Sequence, residues 1–126
     1  MQRKLLPALL FVASANLWAE PNAACLLEGK LTLAGQTTEL KDCIHNRGLT
    51  AEQFKQTCEG IAQLGATLGA PPKISYLEHC PQDWQGACNG LFGQPVEAFY
   101  YKRTTLDIAD VQNGCTLQQG KWTAGK

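Results

Sequence analysis

This chain of 126 residues lacks most of the features that announce a function. Its eleven Lys and Arg and eleven Asp and Glu are scattered rather than clustered. The basic face that nucleic acid demands is therefore absent, and no nucleic-acid partner is expected. No run reaches the ~20 apolar residues that a membrane-spanning helix requires, so no span is expected either. Serine is scarce: beyond Ser14 there is only Ser75, and no Gly-x-Ser-x-Gly elbow surrounds it. That argues against a serine hydrolase. No phosphate loop, dinucleotide fingerprint or haem-attachment motif occurs. No asparagine stands in an Asn-x-Ser/Thr sequon, which fits a bacterial envelope better than a eukaryotic secretory route.

Residues 1–19 read as a secretory signal. Arg3 and Lys4 make a short positive start, Leu5 to Ala13 is apolar apart from Pro7, and small residues follow. Cleavage is expected after Ala19, with Ala15 as the alternative. The apolar run is about half of what a membrane anchor needs. Residues 20–126 then form a single exported domain, periplasmic or secreted. Eleven basic residues less Arg3 and Lys4, against eleven acidic ones, leave a net charge of −2.

All six cysteines (Cys25, Cys43, Cys58, Cys80, Cys88 and Cys115) lie beyond that signal. None forms a Cys-x-x-Cys pair, and the spacings match no zinc finger. In an oxidising compartment six such cysteines read as three disulfides, each adding roughly 2–4 kcal/mol. Six cysteines allow fifteen pairings. The pairing expected from element positions is Cys25–Cys115, Cys43–Cys58 and Cys80–Cys88. With every thiol committed, no cysteine nucleophile remains.

The pattern along the chain predicts an α+β fold: a small antiparallel sheet, one main packed helix and disulfide staples. Leu26 to Leu33 and Thr37 to Cys43 read as a hairpin around Ala34-Gly35-Gln36. Thr50 with Gln53 forms a capping box that opens a helix over about residues 51–64, with Phe54, Cys58, Ile61 and Ala62 on one face. Pro71-Pro72 forbids its continuation. Lys73 to Cys80 and Val96 to Thr104 alternate as strands. Pro81 to Pro95 reads as a long loop, of the kind that is often functional. Leu106 to Val111 suggests one or two helical turns ended by Asn113-Gly114, and Thr116 to Thr123 a last short strand.

Function follows mainly by elimination. Tyr100, Tyr101, Lys102 and Arg103 place two aromatics and two cations in consecutive strand positions, residue types favoured at contact surfaces. Trp84 and Phe92 in the long loop are the second candidate contact. These six residues are the expected binding residues. Catalytic and metal residues, and cofactors, are not expected. The chain reads as a monomeric, non-enzymatic binding or inhibitory module for an envelope or extracellular protein or a small ligand. The alternative is a small extracytoplasmic hydrolase or metal-dependent protein using His45 or His79, the only two histidines.

Overall fold

In a computed structural model of the chain, residues 22–67 and 69–125 are described, apart from the Leu33 side chain. The signal segment expected at 1–19 lies outside these residues. The first hairpin pairs β1 (Ala24–Leu33) with β2 (Gln36–Asn46) in register from Ala24 opposite His45 to Leu33 opposite Gln36. Its two-residue turn takes both Ala34 and Gly35 into the left-handed region, which suits the right-handed twist of the flanking strands. Asn46 then ends β2. Its Oδ1 accepts from the backbone N–H groups of Gly48 and Leu49, and its Nδ2 donates to the Leu49 carbonyl. This turn delivers the chain to α1 (Ala51–Ala66).

The capping box forms in full. Thr50 Oγ1 accepts from Gln53 N at 3.2 Å, and Gln53 Oε1 accepts from Thr50 N at 3.1 Å. Phe54, Cys58 and Ala62 are the buried residues of α1, as the apolar spacing predicts. After Pro71-Pro72 the chain returns as β3 (Lys73–Leu77), which pairs with β1. The segment read as a loop holds a further strand, β4 (Gly86–Asn89), and a 3₁₀ turn at Leu91–Gly93. Next come β5 (Val96–Tyr100), α2 (Thr105–Leu117) and β6 (Lys121–Ala124). The second helix is longer than two turns: Thr104 caps it by accepting from Asp107 N, and Asn113-Gly114 lies inside it. Among the described residues the result is one antiparallel sheet of six strands in the order β3-β1-β2-β5-β4-β6, an α+β fold with two helices and three disulfides.

Strand alternation divides the sheet into two faces. Cys25, Ile44, Ala98, Cys88 and Trp122 stand in one cross-strand row, opposite one another in register. This face carries the main core, with Phe54 and Cys58 of α1 and Cys115 of α2 packed on it. The other face holds Leu26, Cys43, Phe99 and Ala87, and the segment after β3 covers it with Cys80 and Trp84.

The disulfides follow from those faces, and the expected pairing is overturned at every bridge. Cys25–Cys58 ties β1 to α1, Cys88–Cys115 ties β4 to α2, and Cys43–Cys80 ties β2 to the segment after β3. Cys43 points away from the helices, so it cannot meet Cys58. Cys80 and Cys88 lie on opposite faces of the sheet, so nearness in sequence does not bring them together. Each bridge holds one covering segment onto the sheet. No helix among the described residues is long and apolar enough to cross a membrane.

Candidate functional site

The strongest candidate lies on the sheet face that the helices leave uncovered. Here the backbone leaves β3, crosses over the sheet and is bonded to it at Cys43–Cys80. His45 follows Cys43 by two residues and so projects on the same face; His79 immediately precedes Cys80. One bridge therefore sets the two imidazoles side by side. Their ring centres are 6.2 Å apart and their planes are parallel within 4°. Beside them opens a cleft of about 200 Å³. Its remaining walls are Arg47, Cys80, Pro81 and Gln82, with Trp84 and Phe99 supplying the apolar side.

Each wall has a local cause. Asp83 adopts a left-handed conformation (φ 65°), which an aspartate tolerates better than most residues. The chain thereby turns so that the Trp84 indole meets the Phe99 ring, 5.4 Å away and tilted by 56°. Tyr101 Oη donates to the Pro81 carbonyl at 2.6 Å, and Gln85 exchanges two hydrogen bonds with the backbone of Arg103. Arg47 is ion-paired with Glu97, the residue opposite His45 in the β2–β5 register.

The electrostatics of His45 are set by its position. Burial, and next the neighbouring Arg47 cation, hold the imidazole below its ordinary value of 6.5. The Asn46 backbone and the Glu97 carboxylate pull the other way. His45 Nδ1 is nonetheless buried without a hydrogen-bond partner of acceptable geometry. His79, in contrast, is exposed.

The residues expected to bind are distributed differently from one another. Tyr100 is buried in the helix-side core and stacks on Trp122 at 5.9 Å. Burial and the adjacent Asp42 push its phenol up to about 12. Tyr101 is half-buried and likewise pushed up to about 12 by burial and Asp42, so it is a neutral donor to Pro81. Lys102 pairs with Glu39 at the surface. Arg103 grips the buried Asp42 through two hydrogen bonds, 2.5 and 3.4 Å, and lies over the Tyr100 ring. Burial raises the Asp42 carboxyl above its usual range while Arg103 opposes that shift. All four thus make contacts within the molecule, Lys102 at an exposed surface, and Tyr101 and Arg103 brace the cleft wall. Trp84 lines the cleft. Phe92 stands apart, 51% exposed, in a left-handed conformation (φ 56°) within the 3₁₀ turn.

Sequence reasoning missed Arg47, Pro81, Gln82 and Phe99 as neighbours of the histidines. The signal for Phe99 was its alternation with Ala98 and Tyr100, which places it on the face opposite the helices. Among the described residues no cluster of three His, Cys, Asp or Glu side chains stands ready to hold a metal. No family model, curated protein or solved structure matches this chain.

Proposed function

We propose that this chain is an exported, non-enzymatic binding module whose ligand seat is the cleft walled by His45, His79, Gln82 and Trp84. The observation that carries this reading is the convergence of two imidazoles, an indole, a side-chain amide and a guanidinium on one opening. Small-ligand sites join apolar and aromatic walls to a few convergent polar groups, and this cleft has that composition. A volume near 200 Å³ suits a small ligand or a single side chain of a partner better than a large cofactor. Export is supported by the positive start and apolar run of residues 1–19 and by three disulfides, which persist in oxidising compartments.

The rigid setting favours binding over chemistry. Cys80, the only thiol-bearing residue in the wall, is consumed by its bridge. The wall is fixed by that bridge and by the Tyr101 and Gln85 hydrogen bonds, so little ordering cost opposes a ligand.

The test is ¹⁵N-resolved NMR of the bridged protein against a panel of small polar and aromatic compounds and short peptides. The expected result is saturable shifts centred on His45, His79, Gln82 and the Trp84 indole, abolished by Trp84→Ala. Shifts that instead gather on the outer side of α2, where Leu106 and Leu117 are over 80% exposed, would refute the assignment.

A further inference from the structure

We propose that the cleft takes a small carboxylate that carries an apolar body, a ligand of the size and kind of benzoate. The proposal rests on the cleft being the ligand seat, and it names the chemistry of what sits there. The wall offers the side-chain nitrogens of His45, Arg47, His79 and Gln82, and among the described residues no carboxylate lines it. Three of these four side chains are cationic or become so on protonation, and none is acidic. The donors stand on both banks of the opening. His45 and Arg47 come from the end of β2 and just beyond it, His79 and Gln82 from the segment that Cys43–Cys80 bonds to that strand.

Arg47 is the anchor. Its contact with Glu97 runs through one nitrogen, Nη2. A guanidinium has five N–H groups, so donors remain for a second carboxylate. Glu97 offsets the charge of Arg47, so net charge does not hold the ligand. The hold comes from charge-assisted N–H···O⁻ bonds, which are roughly twice as strong as neutral ones. The other wall selects the rest of the ligand. Trp84 and Phe99, ring centres 5.4 Å apart, offer an apolar surface from which an inorganic anion gains nothing and against which a ring is buried. The volume of about 200 Å³ lies below the ~300 Å³ at which sites for drug-sized ligands begin, which limits the occupant to one ring and its acid group. A free aromatic acid carries this chemistry, and so does the last residue of a peptide ending in phenylalanine.

The imidazoles make the site sensitive to pH. The charged and titratable groups that face His45 are Arg47 just beyond its strand, His79 from the segment after β3, and Glu97 from β5. In the empty cleft, burial and Arg47 keep His45 neutral near pH 7. A bound carboxylate favours the imidazolium, so binding draws in a proton and tightens as pH falls. The ligand itself stays ionised above about pH 5. With Nδ1 buried, the hydrogen bond from His45 to the ligand is left to Nε2.

The experiment is a ¹⁵N-resolved NMR titration of the bridged protein with benzoate. Benzamide serves as the neutral isostere and inorganic phosphate as the anion without an apolar body. A short peptide ending in phenylalanine is added in two forms, with a free and with an amidated C-terminus. The expected result is saturable shifts of His45, His79 and the Trp84 indole by benzoate, at an affinity about tenfold or more above that of benzamide or phosphate. That affinity rises about tenfold from about pH 7.5 to about pH 5.5, the gain that accompanies one imidazole becoming charged beside the ligand. Arg47→Gln weakens benzoate by about tenfold and closes its gap to benzamide; because Arg47 is exposed, the variant keeps the far-ultraviolet circular dichroism of the parent. His79→Gln flattens the rise at low pH. Tighter binding of the free-ended peptide than of benzoate assigns the carboxylate to a partner's chain end, and the reverse order to a free acid. Benzamide binding as tightly as benzoate, phosphate displacing benzoate at equal concentration, or an unchanged affinity in Arg47→Gln overturns the carboxylate assignment and leaves the cleft as a ligand seat. If no compound perturbs these residues, the cleft reading falls with it.

Discussion

Replacing both members of one bridge, Cys43→Ala with Cys80→Ala, separates the contribution of the cleft wall from that of the rest of the fold. The bridge closes a loop spanning 37 positions. For a loop of this length the chain-entropy estimate is about 4 kcal/mol lost from the free energy of unfolding. A domain of this size has about 5–15 kcal/mol in total, so the variant remains folded. The loss is local in the native state. Cys25–Cys58 and Cys88–Cys115 still hold α1 and α2 on the opposite face, and the helix-side core does not include either replaced residue. Urea unfolding read by far-ultraviolet circular dichroism should show the midpoint falling with the native helix signal intact. Amide exchange should accelerate in residues 78–85, and Trp84 emission should shift to the red as its contact with Phe99 loosens. A loss below about 1 kcal/mol would contradict the entropic argument. Collapse of the helix signal in the folded baseline would contradict the division of labour between the bridges.

Three further outcomes follow from single contacts. Gly86→Ala puts a Cβ 2.1 and 2.5 Å from Cζ2 and Cη2 of the Trp122 indole, so thermal unfolding should reveal a loss of about 1–3 kcal/mol; a neutral variant would contradict the tight β4–β6 packing. Arg103→Ala leaves the buried Asp42 carboxylate without its partner, and denaturant unfolding at neutral pH should show about 2 kcal/mol lost, with less than about 0.5 kcal/mol counting against the ion pair's role. The imidazole of His45 is held below 6.5 in the folded state, so as pH falls the unfolded chain takes up the proton first. Stability from this group is therefore present above pH 6.5 and lost as pH drops through the folded value, a decline that His45→Gln should flatten. Asp42, whose carboxyl is raised, works in the opposite sense, its contribution being lost as pH rises, so the His45 contribution is read as the difference between the parent and His45→Gln curves.

What could be read from the sequence was what local physics decides. The hairpin around Ala34-Gly35 and the helix begun by Thr50 and Gln53 announce themselves within a few residues, because turns and caps are satisfied by neighbours in sequence. The strand Gly86–Asn89 does not. It is four residues long and small in side chain, and its first three residues are buried between β5 and β6, so neither length nor alternation marks it within a segment rich in Gly, Pro and Gln. α2 was underestimated for a related reason. Leu106 and Leu117 lie on its solvent side and Gly114 within it, which blurs the apolar stripe that identifies a helix.

The bridges and the cleft are consequences of strand parity. Cys25 and Cys43 fall on opposite faces because Cys25 stands opposite Ile44, not opposite Cys43. That single offset sends Cys25 to the helix and Cys43 to the segment after β3. It also brings His45 to His79, a meeting that no spacing of residues in the chain foretells. For Tyr100, Tyr101, Lys102 and Arg103, residue type alone does not reveal the contacts that they make within the molecule. Asp42, Glu39 and the Pro81 carbonyl, far away in sequence, are what engage three of them.

Each bridge holds one cover onto the sheet, and the cleft exists only if Cys80 is bonded to β2. Proteolysis of the unreduced protein followed by mass spectrometry of the linked peptides measures this directly. The prediction is three linkages, Cys25–Cys58, Cys43–Cys80 and Cys88–Cys115. A peptide joining Cys43 to Cys58, or Cys80 to Cys88, would contradict the two-faced sheet and remove the cleft with it.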